Sequence, residues 1–160
     1  MAEFIHGNQS IHYELAGVRE FRLRTPVLLL HGNGEDMHIF DNMIAPLLGA
    51  KGFVLMDSRM QGESFSLDGG GEISYSAMAD DAAALMDELG INEYDIVGYS
   101  DGGIIALLMA MKSFKVRRFF TIGANTDPSG LTAKAVREIK TALRRGRITR
   151  AMSVLRRCFQ

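Results

Sequence analysis

The sequence predicts an α/β fold in which a mostly parallel sheet carries helices on both faces and begins with a β-hairpin. Three observations indicate this class. Four short segments rich in apolar residues are spaced along the chain, and the first of them is continuously apolar, as expected of strands buried in a parallel sheet. Amphipathic or apolar helical segments separate them, an alternation typical of right-handed strand–helix–strand crossovers. Before them, apolar and polar residues alternate on both sides of Gly7-Asn8, which predicts two antiparallel strands.

The predicted elements follow in a regular order. The hairpin strands are residues 3–6 and 10–16, and the four buried strands are residues 27–30, 53–56, 94–99 and 116–122. The first helix is expected over residues 37–48, with one apolar face formed by Ile39, Met43, Ile44 and Leu47. The second begins after the N-cap Ser74, ends at Gly90 and buries Met78, Ala82, Leu85, Met86 and Leu89. A third spans residues 102–111.

Composition is that of an ordinary globular protein. The 160 residues are 47% hydrophobic and 23% charged, and a chain of this length can form one domain with a sizeable core.

The N-terminus lacks the basic and apolar regions of a signal peptide, and the longest apolar run, Ile104 to Met111, is too short to span a bilayer. We therefore expect a cytoplasmic protein. Cys158 is the single cysteine, which excludes an internal disulfide, and we expect no metal site around it.

Charge divides the chain into two parts. Residues 131–160 carry nine Lys/Arg and one acidic residue, whereas residues 1–130 carry nine Lys/Arg and 18 Asp/Glu. Two apolar stripes in the basic segment predict short amphipathic helices; they are Val136, Ile139 and Leu143, then Ile148, Met152 and Leu155. Such a segment binds nucleic acid or a membrane surface, or it docks on its own acidic body. We favour docking, with no nucleic-acid or membrane partner.

The stretch GYSDGG, residues 98–103, satisfies the pattern G-x-S-x-G between a predicted strand and a predicted helix. A sharp strand-to-helix reversal strains Ser100 and exposes its hydroxyl, and it requires small residues such as Gly98 and Gly102 beside it. The helix N-terminus favours a developing oxyanion, with the N–H of Asp101 as the first donor. The pattern indicates a nucleophilic serine, although a glycine-rich connecting turn satisfies it as well.

Two further motifs support the nucleophile. LLLHGNG (residues 28–34) and DSRMQGES (residues 57–64) follow two predicted strands. With GYSDGG they resemble the α/β-hydrolase superfamily over essentially the whole chain, although Met60 replaces a usual glycine. The resemblance implies a serine hydrolase acting on a carboxylic ester or related small acyl substrate, without a cofactor. It further implies that Ser100 is the nucleophile and that the backbone N–H groups of Asn33 and Asp101 form the oxyanion hole.

Other polar residues in these motifs have supporting roles by the same resemblance. His31 is expected to hold its loop by hydrogen bonding, and Asp57 and Arg59 to brace their turn through a charge-assisted hydrogen bond. Asn33, between two glycines, also has the composition of a plain turn. His38 is expected at the surface or lining the pocket. His6 and His12 belong to the hairpin, far from Ser100.

The family's acid and histidine follow the nucleophile along the chain, yet no histidine follows Ser100. Asp127 lies where some members place the acid, but its surroundings predict a turn. We expect residues 1–130 to be the N-terminal part of the hydrolase core and residues 131–160 a basic, helical, cap-like segment. We therefore predict little activity from this chain, with acid and histidine supplied from beyond residue 160.

The alternative is a naturally short, catalytically inactive protein used for binding or assembly. The last two strands of the family's sheet are not predicted in this sequence. The final predicted strand, residues 116–122, would then form an unpaired edge beside uncovered apolar surface. We therefore predict self-association through this edge.

Overall fold

The computed structural model describes residues 2–22 and 24–125, which form a mixed sheet with helices on both faces. The strands in these residues are β1 (Ala2–His6), β2 (Gln9–Ala16), β3 (Val27–Leu30), β4 (Phe53–Met56), β5 (Phe65–Ser66), β6 (Tyr94–Tyr99) and β7 (Val116–Ile122). Their order is β1-β2-β4-β3-β6-β7, and β5 pairs with β2. The strands from β4 to β7 in this order are parallel, whereas β2 is antiparallel to β1, β4 and β5. The predicted α/β class and its N-terminal hairpin are confirmed.

The helices in these residues are α1 (Asp41–Ile44), α2 (Tyr75–Glu88) and α3 (Asp101–Lys112). Short 3-10 turns occupy Val18–Arg22, Met37–Phe40 and Ala45–Leu47. The predicted start of α2 is confirmed, since the Ser74 hydroxyl accepts the N–H of Ala77 at 3.2 Å. Gly90, at φ 66°, follows its end. Of the predicted apolar face, Met78, Ala82, Leu85 and Met86 are buried.

The helix predicted over residues 37–48 is wrong in both form and face. The segment is a 3-10 turn, one turn of α-helix and a second 3-10 turn. The Asp36 carboxylate caps the first turn, and three residues per turn then place Met37 and Phe40 on the buried side. Ile44 is buried as predicted, but Ile39, Met43 and Leu47 are exposed.

Two hydrophobic cores lie on opposite faces of the sheet. Helices α2 and α3 cover the larger core; its members include Leu28, Leu30, Val54, Leu85, Ile96 and Met109. The segment around α1 covers the smaller one, made of Val27, Leu29, Met37, Phe40, Ile44, Phe53 and Leu55. Strand β3 therefore contributes alternate residues to both cores, which explains why it is apolar throughout.

Strand β7 ends the sheet among the described residues, and the prediction that this strand is buried is wrong because most of its side chains are exposed. Phe119, Phe120 and Ile122 are 46%, 64% and 41% exposed. Asp127 and the helices predicted within residues 131–160 lie outside the described residues. None of the helices in residues 2–22 and 24–125 is long and apolar enough to cross a membrane.

Candidate functional site

Ser100 occupies a strained turn between β6 and α3. Its backbone has φ 51° and ψ −115°, a conformation that costs a residue with a side chain of the order of 1–3 kcal/mol. The Ser100 N–H donates to the carbonyl of Ile122 at 2.7 Å, and the Ser100 carbonyl accepts the N–H of Gly103 at 2.9 Å. Hydrogen bonds on both sides therefore hold this conformation.

Close backbone contacts explain the glycines on either side of Ser100. A Cβ atom at Gly98 would overlap the carbonyl oxygen of Gly102, and one at Gly102 would overlap the carbonyl oxygen of Leu30. Both obstacles are backbone atoms, which cannot move aside as a flexible side chain could. The prediction that these two positions require small residues is confirmed.

The loop after β3 lies directly against this turn. A Cβ built on Gly32 would be 3.1 Å from Cδ1 of Tyr99 and 3.2 Å from Cβ of Ser100. A Cβ on Gly102 would also be 2.7 Å from the carbonyl oxygen of His31. The structure thus brings the loop that contains Asn33 together with Ser100 and the start of α3.

The hydrogen bonds of this loop use the backbone N–H groups on either side of Asn33 but not the backbone N–H of Asn33 itself. The N–H of Gly32 donates to Oε2 of Glu35 at 3.1 Å, and that of Gly34 donates to Oε1 of Gln61 at 2.6 Å. The N–H of Glu35 donates to the carbonyl of Gly32 at 3.3 Å. Among the described residues we find no acceptor for the N–H of Asn33. The N–H of Asp101, first in α3, has no acceptor within its helix.

His31 supports the loop, in agreement with the sequence-based expectation. It is buried, its Nδ1 donates to the carbonyl of Gly32 at 2.7 Å, and its Nε2 accepts the N–H of Ser58 at 2.9 Å. An Nε2 that accepts a hydrogen bond carries no proton, so this imidazole is neutral with both nitrogens engaged. His31 is therefore unavailable as a base for Ser100.

The loop after β4 braces the loop after β3. The Asp57 carboxylate accepts the N–H groups of Met37 and Glu63, each at 2.8 Å. Arg59 instead forms a bidentate pair with Asp81 of α2, at 2.6 and 2.8 Å. The expectation is confirmed for Asp57, which braces its own turn, whereas Arg59 joins that turn to α2.

Sequence reasoning missed Asp81, Glu35 and Gln61. The sequence does contain a feature that could have identified Asp81. This residue lies three residues after Met78 and four before Leu85, and therefore on the apolar face of α2. A carboxylate on a buried face is expected to be paired with a cation. Glu35 and Gln61 had no comparable signal, because each bonds a backbone amide within or across a loop.

The remaining histidines are engaged elsewhere. Nδ1 of His6 lies 2.7 Å from the Asp81 carboxylate, and that of His38 lies 3.2 Å from Asp41. His12 is buried, with Nδ1 3.8 Å from the Glu63 carboxylate. All four histidines of the sequence are in the described part of the chain, and none of them hydrogen-bonds to the Ser100 hydroxyl there. Within residues 2–22 and 24–125, no three His, Cys, Asp or Glu side chains group together as metal ligands would.

A family comparison agrees with this arrangement of strand, strained serine turn and helix. The profile of the alpha/beta hydrolase fold family matches residues 25–148. The chain belongs to the alpha/beta hydrolase fold family. The matched range contains β3 to β7 and therefore includes Asn33, Ser100 and Asp101.

Solved structures agree with the fold of this α/β hydrolase. Est816, described as an N-acyl homoserine lactone degrading enzyme, superposes with a TM-score of 0.72 at 22% identity over 89% of this chain and 52% of its own. A hydrolase from Pseudomonas aeruginosa PA01 gives 0.72 at 22% identity over 95% and 54%. A thermophilic esterase from Thermogutta terrifontis gives 0.67 at 25% identity over 86% and 48%. The chain thus spans about half the length of these structures.

Proposed function

We propose that this α/β hydrolase is a serine hydrolase that acts on a carboxylic ester or a related small acyl substrate. The observation that carries the proposal is the strained backbone of Ser100 beside an Asn33 N–H group with no acceptor among the described residues. Membership of the family and the likeness to an esterase of 25% identity support the substrate class.

In the proposed reaction the Ser100 hydroxyl attacks the acyl carbonyl carbon. The N–H groups of Asn33 and Asp101 then donate to the oxyanion, and the positive end of α3 adds to its stabilisation. The proton of Ser100 has to pass to a base and then to the leaving group. None of the four histidines is placed to take it, so the proposal assigns base and acid to sequence beyond residue 160.

The 160-residue chain should therefore be a poor catalyst. Loss of the base or nucleophile of a triad lowers kcat by roughly 10⁴–10⁶. The oxyanion hole and substrate binding alone retain about 10³–10⁴ over water. We expect a trace of ester hydrolysis that depends on the oxyanion hole rather than on proton transfer.

A pair of substitutions tests the oxyanion role of Asn33. Asn33→Ala keeps the backbone N–H, whereas Asn33→Pro removes it. We expect Asn33→Ala to change the hydrolysis of p-nitrophenyl acetate little, and Asn33→Pro to lower it by about 10²–10³, the usual effect of losing one oxyanion donor. Circular dichroism checks that both variants fold. Equal rates in the two folded variants would contradict the proposal.

The second candidate is a catalytically inactive, hydrolase-like protein used in binding or assembly. The absence of a histidine at Ser100 among the described residues favours it, as do the exposed phenylalanines of β7. In this proposal β7 associates with a second copy of the chain. The gene sequence after codon 160 discriminates between the two candidates: an in-frame continuation with a later histidine supports the enzyme, and a stop codon supports the short protein.

A further inference from the structure

The carboxylate of Glu35 lies on the Ser100 side of the loop after β3. The position of a Cβ built on Gly32 is 2.5 Å from Oε2 of Glu35 and 3.2 Å from Cβ of Ser100. Because both distances are measured from the same position, Oε2 of Glu35 is at most about 6 Å from Cβ of Ser100. Opposite or like charges within about 4–6 Å of each other interact strongly, so the carboxylate would act on a charged group bound near Ser100. The hydrogen bond from the Gly32 N–H fixes the carboxylate in this place.

The Glu35 carboxylate forms no ion pair with a cationic side chain among the described residues. Glu35 takes part in none of their ion pairs, and the Arg59 guanidinium is committed to Asp81. His31 is neutral because its Nε2 accepts a hydrogen bond. Burial raises the pKa of Asp101, the residue after Ser100, and Glu35 adds the smallest contribution to that rise, whereas the hydrogen bond from Tyr75 and the neighbouring His31 act to lower it. The Glu35 carboxylate therefore lies beside the turn of Ser100 and has no ion-pair partner among the described residues.

We propose that Glu35 is a specificity-determining residue that selects acyl substrates by charge. It disfavours substrates with an anionic group near the scissile carbonyl and favours neutral or cationic ones. This inference rests on the proposed function, since it takes Ser100 as the nucleophile. For a substrate charge about 6 Å from the Glu35 carboxylate, Coulomb's law changes the rate relative to a neutral substrate by roughly threefold in a water-like medium to a hundredfold near a protein surface, faster for a cation and slower for an anion.

Matched variants separate the charge of Glu35 from its hydrogen bond. Glu35→Gln removes the charge but keeps a side-chain oxygen that accepts the Gly32 N–H, whereas Glu35→Ala removes both. Glu88→Gln serves as the charge control. Glu88 is exposed at the last position of α2. It lies about 20 Å along that helix from Tyr75, the residue at the start of α2 that hydrogen-bonds to Asp101.

Ser100 labelling provides the test in the full chain. Three fluorophosphonates of equal length carry a trimethylammonium group, no charge or a carboxylate near the phosphorus, and intact-protein mass spectrometry gives their rates. We expect the cationic probe to label about three- to a hundredfold faster than the neutral probe, and the anionic probe to label more slowly than the neutral one by the same factor. Glu35→Gln should bring the ratio of the cationic rate to the anionic rate close to one, and Glu88→Gln should preserve it. A ratio that Glu35→Gln leaves unchanged would overturn the inference but not the proposed function.

Two further measurements complete the design. If the neutral probe labels wild type no faster than Ser100→Ala, the proposed function fails, and charge-selective catalysis with it. Independently of any reaction, tetramethylammonium chloride and sodium acetate are titrated into ¹⁵N-labelled protein. We expect the ammonium ion to shift the amide signals of Gly32 and Ser100 in wild type and much less in Glu35→Gln. Equal shifts in the two proteins would contradict the role of Glu35.

Discussion

The turn at Ser100 and strand β7 are neighbours in the sheet but are stabilised very differently. Around Ser100, glycines fit against backbone atoms, and the loops after β3 and β4 are joined through Asp57, Gln61 and His31. Strand β7 pairs with β6 on one side, and among the described residues its other edge has no strand partner. Its phenylalanines are exposed. The difference shows that the serine turn is organised within the described residues, whereas the β7 edge has exposed apolar side chains there.

Buried polar groups explain how the first region is held together. Asp57, Arg59 and Asp81 are nearly inaccessible to water, and each is bonded to backbone or to an opposite charge. Such groups stabilise one arrangement because any other would leave a charge buried without a partner. An exposed apolar strand imposes no comparable constraint, so its covering can come from its own chain or from another.

The largest expected effect is at Asp81. Asp81→Ala leaves the Arg59 guanidinium buried without its carboxylate, so we expect the free energy of unfolding to fall by about 3–5 kcal/mol. Urea denaturation followed by circular dichroism measures it. Asp80→Ala is the matched control, since Asp80 pairs with Lys112 at the surface and should cost at most about 1 kcal/mol. Equal losses in both variants would show that the buried pair does not stabilise this region.

A smaller effect, of opposite sign, is expected at Met60. Met60 has φ 62°, the left-handed region that favours glycine. Met60→Gly relieves about 1–2 kcal/mol of strain but adds about 0.4–1 kcal/mol of chain entropy to the unfolded state. We expect a net stabilisation of about 0 to 1.6 kcal/mol relative to Met60→Ala, which loses the same side chain and keeps the strain. A Met60→Gly variant less stable than Met60→Ala would contradict this account.

The smallest effect on folding is expected at Phe120 of β7. Because its side chain is exposed, Phe120→Lys should change the free energy of unfolding by no more than about 0.5 kcal/mol. It should, however, weaken self-association, measured by light scattering at tens of micromolar protein. Phe65→Lys, at an exposed phenylalanine of β5, should leave association unchanged. A wild-type chain that is monomeric at this concentration would contradict self-association through β7.

Much of the fold could be predicted because local patterns determine it. The continuous apolar strands and the period of α2 reflect burial that each segment needs on its own. The segment over residues 37–48 could not be predicted from such a pattern, because the Asp36 cap and 3-10 geometry changed which residues face the core. Strand β5 was missed since its two residues pair with Gln9 and Ser10, far away in the sequence.

The candidate site divides in the same way. The position of Ser100 follows from a local steric requirement for glycines, which the sequence displays directly. The partners of Gln61 and Arg59 depend on how separate loops and α2 meet in three dimensions, whereas Glu35 bonds to Gly32 of its own loop. The sequence pattern does not show which distant residues come into contact, so these partners could be identified only from the structure.

The most direct test of the central claim is the rate at which a neutral fluorophosphonate labels Ser100 in the 160-residue chain. We predict labelling confined to Ser100, abolished by Ser100→Ala, and slower by roughly 10⁴–10⁶ than expected of a complete triad. Rapid, stoichiometric labelling of Ser100 would contradict the account, because it would require a base within these residues.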